Sequence, residues 1–276
     1  MNLKEILDRF YEDYDFEKRK LHDPIKFPHC YKDPADIEVV AFISSCFAYG
    51  KVDLFMPKIE EILKRIGEKP YEFIINLDLK ERILFDDLKY RFNSDDDIFC
   101  LLYIVSTILR NYGSLESLFM SHYRNEEPDI FSGLNGFVET MCSIDTSPVY
   151  GTNLKPKGLV QFFPLPRRGS ACKRMNLFLR WMVRDRDIDF GLWKGIPKNR
   201  LIIPLDTHIA RISRCLRFTG RRSEDWRMAV EITESLKRFD LEDPLKYDFA
   251  LCHHGISGAC SKGNCGECKF SPISSK

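Results

Sequence analysis

The sequence has no apolar run longer than the eight residues Ile98–Val105, IFCLLYIV, which Ser106 and Thr107 close. A helix that crosses a bilayer needs about 20 such residues, so no membrane segment is expected. Low-complexity tracts and repeats at a fixed period are missing, and the alternation that marks half-buried strands is scarce. A surplus of charge of one sign is missing too: 42 Lys and Arg against 41 Asp and Glu leave a net +1. Global charge therefore gives no argument for a polyanionic partner. The first stretch, MNLKEILDRFYEDYDF, is charged throughout and carries no signal-peptide pattern, so a cytoplasmic location is expected.

What is present is the makings of a helical protein. The 276 residues are 44% hydrophobic and 30% charged, enough for one large core or two modest ones. Apolar residues recur at helical spacing near 2–16, 36–48, 52–66, 97–112, 114–124, 129–142, 171–185, 206–218, 224–238 and 244–254, which predicts an all-α fold. Asp243 followed by Pro244 reads as an N-cap with proline at the first helical position, and Gly67, Gly113 and Gly220 punctuate helix ends or turns. The Pro- and Gly-rich stretch 143–170 is an ordered loop or an interdomain crossing.

Ten cysteines without a secretory pattern point to a reducing compartment and away from a disulfide scaffold. Cys30, Cys46, Cys100, Cys142, Cys172 and Cys215 are scattered, mostly among apolar neighbours, as small buried hydrophobes are. Cys252, Cys260, Cys265 and Cys268 are clustered instead. Four thiolates can hold zinc or an iron–sulfur cluster, with free thiols as the alternative.

Charge is uneven along the chain. Lys155, Lys157, Arg167, Arg168, Lys173, Arg174, Arg180, Arg184 and Arg186 face a single acid, Asp185, between 155 and 186. Such a run is either a solvated helix face or a grip on a polyanion. Within it Lys173 opens a helix that carries Met175, Phe178, Leu179 and Met182 on one face. The positive helix end and neighbouring Arg174 disfavour its ammonium form, which would make it a better nucleophile; an ordinary surface lysine is the other reading. Further on, in LIIPLDTHIARISRCLRF, Asp206 precedes Ile209, Ile212 and Leu216 at helical spacing. Asp206 reads as an N-cap worth about 1 kcal/mol, or as a chemical group, or as both.

Taken in order, these stretches resemble the helix-hairpin-helix DNA glycosylase superfamily, of the endonuclease III and 8-oxoguanine DNA glycosylase kind. GSACK (Gly169 to Lys173) resembles its Gly-x-Gly-x-Lys hairpin, with Ala171 in place of the second glycine. PLDTHIARISR resembles its Asp segment, and VVAFISSCFAYGKV (39–52) its early helix and turn. HGISGACSKGNCGEC resembles its Cys-rich loop. The similarity covers 36–66 and 165–270. It departs from the family in its cysteine spacing, with Ser274 where a fourth cysteine would stand. It departs also in the inserted RDRDIDFGLWKGIPKNR between Lys173 and Asp206, and in Arg167 and Arg168 where a Leu-Pro pair is usual.

The resemblance implies a base-excision glycosylase with strand-nicking lyase activity, acting as a monomer on double-stranded DNA that contains a damaged base. Lys173 would attack C1′ and expel the base, leaving a Schiff base, while Asp206 stabilises the cationic sugar. Arg167, Arg168, Gly169, Ser170, Ala171, Arg174 and His208 would contact DNA, and Cys46, Phe47 or Tyr49 would fill the gap left by the flipped nucleotide. The same three are core residues in the alternative reading. Cys252, Cys260, Cys265 and Cys268 would hold a 4Fe-4S cluster, with zinc as the alternative. The expected architecture is two helical lobes with DNA between them: a helical-barrel domain over 34–185, and a second, discontinuous domain from 1–33 and 186–276. A non-catalytic DNA- or RNA-binding protein that keeps the hairpin and metal loop is the competing reading.

Overall fold

The computed structural model describes residues 2–258 and Phe270. Their order is α1 (Leu3–Glu12), α2 (Phe16–Lys20), α3 (Pro34–Phe47), α4 (Val52–Ile66), α5 (Pro70–Ile75), α6 (Asp95–Tyr112), α7 (Leu115–His122), α8 (Phe131–Ser143), α9 (Ser147–Tyr150), α10 (Lys157–Val160), α11 (Lys173–Val183), α12 (Thr207–Cys215), α13 (Trp226–Lys237) and α14 (Asp248–Ile256), with short 3-10 turns between. Among the described residues there is no strand, only two isolated bridges. The fold is all-α, and no single described helix is long and apolar enough to cross a membrane.

The chain divides into two compact units, a middle one from 22 to 168 and a split one from 1–21 and 169–276. In the middle unit the longest apolar run becomes a core helix: Ile98, Phe99, Leu101, Leu102, Ile104 and Val105 of α6 are fully buried. A helix apolar on every side has to be surrounded. Ser94 starts it with a reciprocal capping box to Asp97. Buried Glu38 of α3 accepts the Leu115 and Glu116 amides at 2.9 and 3.0 Å, so one helix caps the start of another with a negative charge where the dipole favours it. The stretch 143–170 is ordered: Tyr150 donates to Asp97 at 2.7 Å and Asn93 to the Gly158 carbonyl at 2.7 Å.

The expected boundaries at 33/34 and 185/186 fall instead at 21/22 and 168/169, so the Lys173 helix belongs to the split unit. The cause is buried charge. Arg180 of α11 pairs with Asp248 of α14 at 2.6 Å and with Asp189 at 3.3 Å. Arg184 pairs with Asp189, with Asp243 at 2.8 Å and with Asp187 at 3.1 Å. Both guanidinium side chains are 3% exposed. They are therefore structural, not part of a basic surface, and the 155–186 run loses two of its charges. The inserted segment supplies the counter-charges Asp187 and Asp189. It also closes the end of α11, since the Phe190 and Trp193 amides donate to the Trp181 and Met182 carbonyls at 2.8 Å each. Those carbonyls would otherwise lack partners.

Two helix starts differ from expectation for related reasons. Asp243 caps nothing; its carboxylate is committed to Arg184, and α14 begins later, at Asp248. The segment 2–16 is two helices because Asp15 caps α2 through the Lys18 amide at 3.0 Å. The N-terminal α1 joins the split unit through Asp8, which accepts from Tyr247 at 2.6 Å and pairs with Lys246 at 2.9 Å.

Replacing Arg184 with Met should lower unfolding free energy by about 3–5 kcal/mol, because it strands buried carboxylates; denaturant titration of folded variant and wild type reads the difference. Burial also raises the Asp248 carboxyl, against the pull of Arg180, to about 6. The folded protein thus keeps a proton that the unfolded chain has already released. Stability from this group is full below pH ~4 and is lost as pH rises through about 6. The stability difference between wild type and Asp248→Asn should accordingly shift against the wild type across that window, measured by denaturant midpoints at several pH values.

Candidate functional site

Lys173 and Asp206 each stand at the start of a helix of the split unit. Ahead of Lys173 the chain turns at Gly169, whose φ is 84°, and at Cys172, whose φ is 49°. The left-handed positions are thus 169 and 172, which explains why Ala171 is tolerated where the resemblance expected glycine. The turn is held from three sides. The Trp226 amide donates to the Gly169 carbonyl at 3.2 Å, Ser170 forms an antiparallel bridge with Asp225, and the Asn176 amide group donates to the Ala171 carbonyl at 3.1 Å. Cys172, a side chain held in a region that favours glycine, costs about 1–3 kcal/mol in backbone strain. Burial pushes its thiol up to about 12, so it is no nucleophile at neutral pH.

Asp206 is a cap in fact. Its Oδ1 accepts the His208 and Ile209 amides, both at 2.9 Å. The other oxygen faces α14, where the Cys252 thiol donates to Oδ2 at 3.5 Å. His208 Nδ1 and the Gly255 carbonyl both lie 3.2 Å from Arg211 Nη2. A Cβ on Gly255 would come within 2.7 Å of the His208 Cβ, so glycine is what lets α12 and α14 close on each other. The His-Gly pair of the Cys-rich stretch thus has a packing reason.

α14 is the element both candidates share. It touches Asp206 through Cys252, and through Asp248 it binds Arg180, seven residues or about 10 Å along α11 from Lys173. The remaining expected DNA contacts scatter. Arg174 lies in the first turn of α11 beside Lys173. Arg167 and Arg168 end the middle unit in a 3-10 turn. Arg167 pairs there with Glu139 at 2.5 Å and borders an open polar cavity of about 390 Å³ with His122, Arg124 and Glu127.

The wedge expectation needs correction. Cys46 and Phe47 are fully buried in α3, Phe47 with its ring 5.2 Å from Phe162. Tyr49 is half-buried, and its hydroxyl donates to Asn93. Beside it the chain makes a two-residue turn in which Tyr90 and Asn93 exchange both backbone hydrogen bonds, at 3.1 and 2.9 Å. Arg91 sits there at φ 53°. Phe92 is 66% exposed, and the Arg91 guanidinium lies 5.7 Å from the Tyr49 ring and 5.5 Å from that of Phe92. Sequence reasoning passed over this turn, which has neither glycine nor proline; the one available signal was a Phe among polar neighbours just ahead of a capping serine.

Of the expected metal ligands, Cys260, Cys265 and Cys268 lie outside the described residues. Cys252 is the one described, and it is engaged with Asp206. Among the described residues no group of three His, Cys, Asp or Glu could hold a metal ion.

No curated protein and no solved structure matches the sequence. One family does: its model covers residues 23–257, all but the first residue of the middle unit together with the Lys173 turn and the Asp206 helix, and by that match the chain belongs to the family described as protein of unknown function, DUF2400.

Proposed function

We propose that this protein is a DNA glycosylase with lyase activity, in which Lys173 is the nucleophile and Asp206 the carboxylate. The observation that carries the reading is the division of labour at Asp206. One oxygen is consumed by two backbone amides of α12, while the other is held toward α14. A carboxylate fixed in this way keeps a charged oxygen in a set orientation, which is what stabilising a cationic sugar requires. Lys173 starts its helix in the same unit, behind a turn whose geometry is over-determined by Gly169, Asp225 and Trp226.

In the reaction the lysine amine forms a bond to C1′ as the bond to the base breaks, and the departing base takes up a proton. The sugar ring then opens to an imine, and β-elimination breaks the bond to the 3′ phosphate. The target nucleotide must leave the stack first, at a cost of a few kcal/mol. For the Cys-rich segment we propose a metal on Cys260, Cys265 and Cys268, as a 4Fe-4S cluster in preference to zinc. Cys252 could be the fourth ligand only as a thiolate, which would end its hydrogen bond to Asp206.

Full-length protein incubated with duplexes carrying 8-oxoguanine, uracil, oxidised pyrimidines or an abasic site, then treated with borohydride, should form a covalent adduct with at least one. Lys173→Gln should abolish the adduct and retain binding. Asp206→Asn should keep the fold, because the amide oxygen still caps, and slow base release by about 100-fold or more. Equal rates for the Asn variant would leave Asp206 a cap alone. Binding with neither adduct nor base release would favour a non-catalytic DNA-binding protein.

Protein purified without oxygen should contain iron and absorb visible light, as an iron–sulfur cluster does. Stoichiometric zinc without iron would replace the cluster with a zinc site, and neither metal would leave the cysteines as free thiols.

A further inference from the structure

The turn after α12 carries charge that the Lys173 and Asp206 chemistry does not use. Between 214 and 227 the chain has five arginines and two acids. Both acids are taken: Glu224 pairs with Arg214 at 3.3 Å and Asp225 with Arg221 at 3.0 Å. Arg214 is also spent on the turn itself, donating to the Arg221 and Arg222 carbonyls at 3.0 and 2.9 Å. Further bonds brace the same segment: the Phe218 amide to the Ser213 carbonyl at 2.8 Å, and the Arg221 amide to Thr219 Oγ1 at 3.1 Å.

Arg217, Arg222 and Arg227 remain. All three are exposed, and the side chain of none makes a hydrogen bond or ion pair among the described residues, although Arg227 lies close enough to Asp225 to lower its carboxyl. Arg217 stands at φ 59°, where a glycine would sit without strain and an arginine does not. The side chain is therefore present at the expense of the backbone. The turn also has a defined neighbour, because it runs into Asp225 and Trp226, which hold Ser170 and Gly169. The segment that carries these three guanidinium groups is thus joined, at Asp225 and Trp226, to the turn that ends in Lys173.

We propose that Arg217, Arg222 and Arg227 are a second grip on the phosphate backbone of duplex DNA, beside the Gly169–Lys173 turn. The inference rests on the DNA reading above and adds the surface that the buried Arg180 and Arg184 do not provide. Guanidinium groups bind phosphate oxygens two at a time, and interactions confined to the backbone give affinity without sequence preference.

The test is the affinity of full-length protein for undamaged duplexes of two unrelated sequences, by fluorescence anisotropy over a range of KCl concentrations. The triple variant Arg217→Ala, Arg222→Ala, Arg227→Ala should bind both duplexes more weakly. The slope of log affinity against log salt should flatten by roughly 0.9 for each phosphate that is no longer neutralised. The corresponding triple lysine variant should keep most of the slope. Arg217→Gly alone should raise the melting temperature by relieving the strained turn and still weaken binding, a pair of opposite effects that a purely structural arginine would not produce. Unchanged affinity and slope in the alanine variant, or weakening for one sequence only, overturns the proposal and leaves the Lys173 and Asp206 reading standing. A wild type that binds no duplex at low salt removes both.

Discussion

Two guanidinium groups without access to water organise the split unit. Arg180 of α11 and Arg184, the residue that ends it, stand one turn apart, and four carboxylates from the insertion, the approach to α14 and α14 itself surround them. Burial pulls both arginines toward neutrality, but Asp189 outweighs it, with Asp248 for Arg180 and Asp243 for Arg184, so both are held above the usual arginine range. Burial drives the Asp189 carboxyl the other way, above its ordinary value. An arrangement of this kind tolerates no partial assembly, because each group removed leaves an opposite charge stranded in a medium of low dielectric. That intolerance fixes α11 against α14 and, through Cys252, fixes the orientation of Asp206.

Among the described residues, three of the five non-glycine positions on left-handed backbone lie beside the groups singled out above. Cys172, Arg217 and Arg91 all occupy left-handed backbone without being glycine, and they lie beside Lys173, in the basic turn and next to exposed Phe92. Backbone of this kind persists only where its surroundings over-determine it. Here the surroundings are visible: Asp225 and Trp226 for the first, Arg214 for the second, the paired Tyr90 and Asn93 for the third.

How much of this could be read from the chain depended on the range of the interaction. Helices long enough to show a period, such as α4 at Val52–Ile66, were legible, as was Asp206 as a cap, since both are set by neighbours within a few residues. The short α5, α9 and α10 were not, because four to six residues cannot display a repeat. Asp187 and Asp189 stand within nine residues of Arg180 and Arg184, but the partners that bury the two arginines against another element, Asp248 and Asp243, lie 68 and 59 residues away, so the run read as basic surface. The same distance hid the real role of Asp243, which locally looks like a cap. Cys46 and Phe47 looked available because a helix buried on all sides carries no polar stripe to say which face is inside.

The split unit also dictates an order of events as the chain is made. α1 finds its polar partners at Asp187, Lys246 and Tyr247, long after it has emerged, while residues 22–168 complete a core of their own in the meantime. Until α14 exists, the Phe10 ring lacks its edge contact with His254, 5.4 Å away. The apolar face of this charged helix, Ile6, Leu7 and Phe10, is thus uncovered while the middle unit is being made, a surface of the kind that nascent-chain chaperones cover.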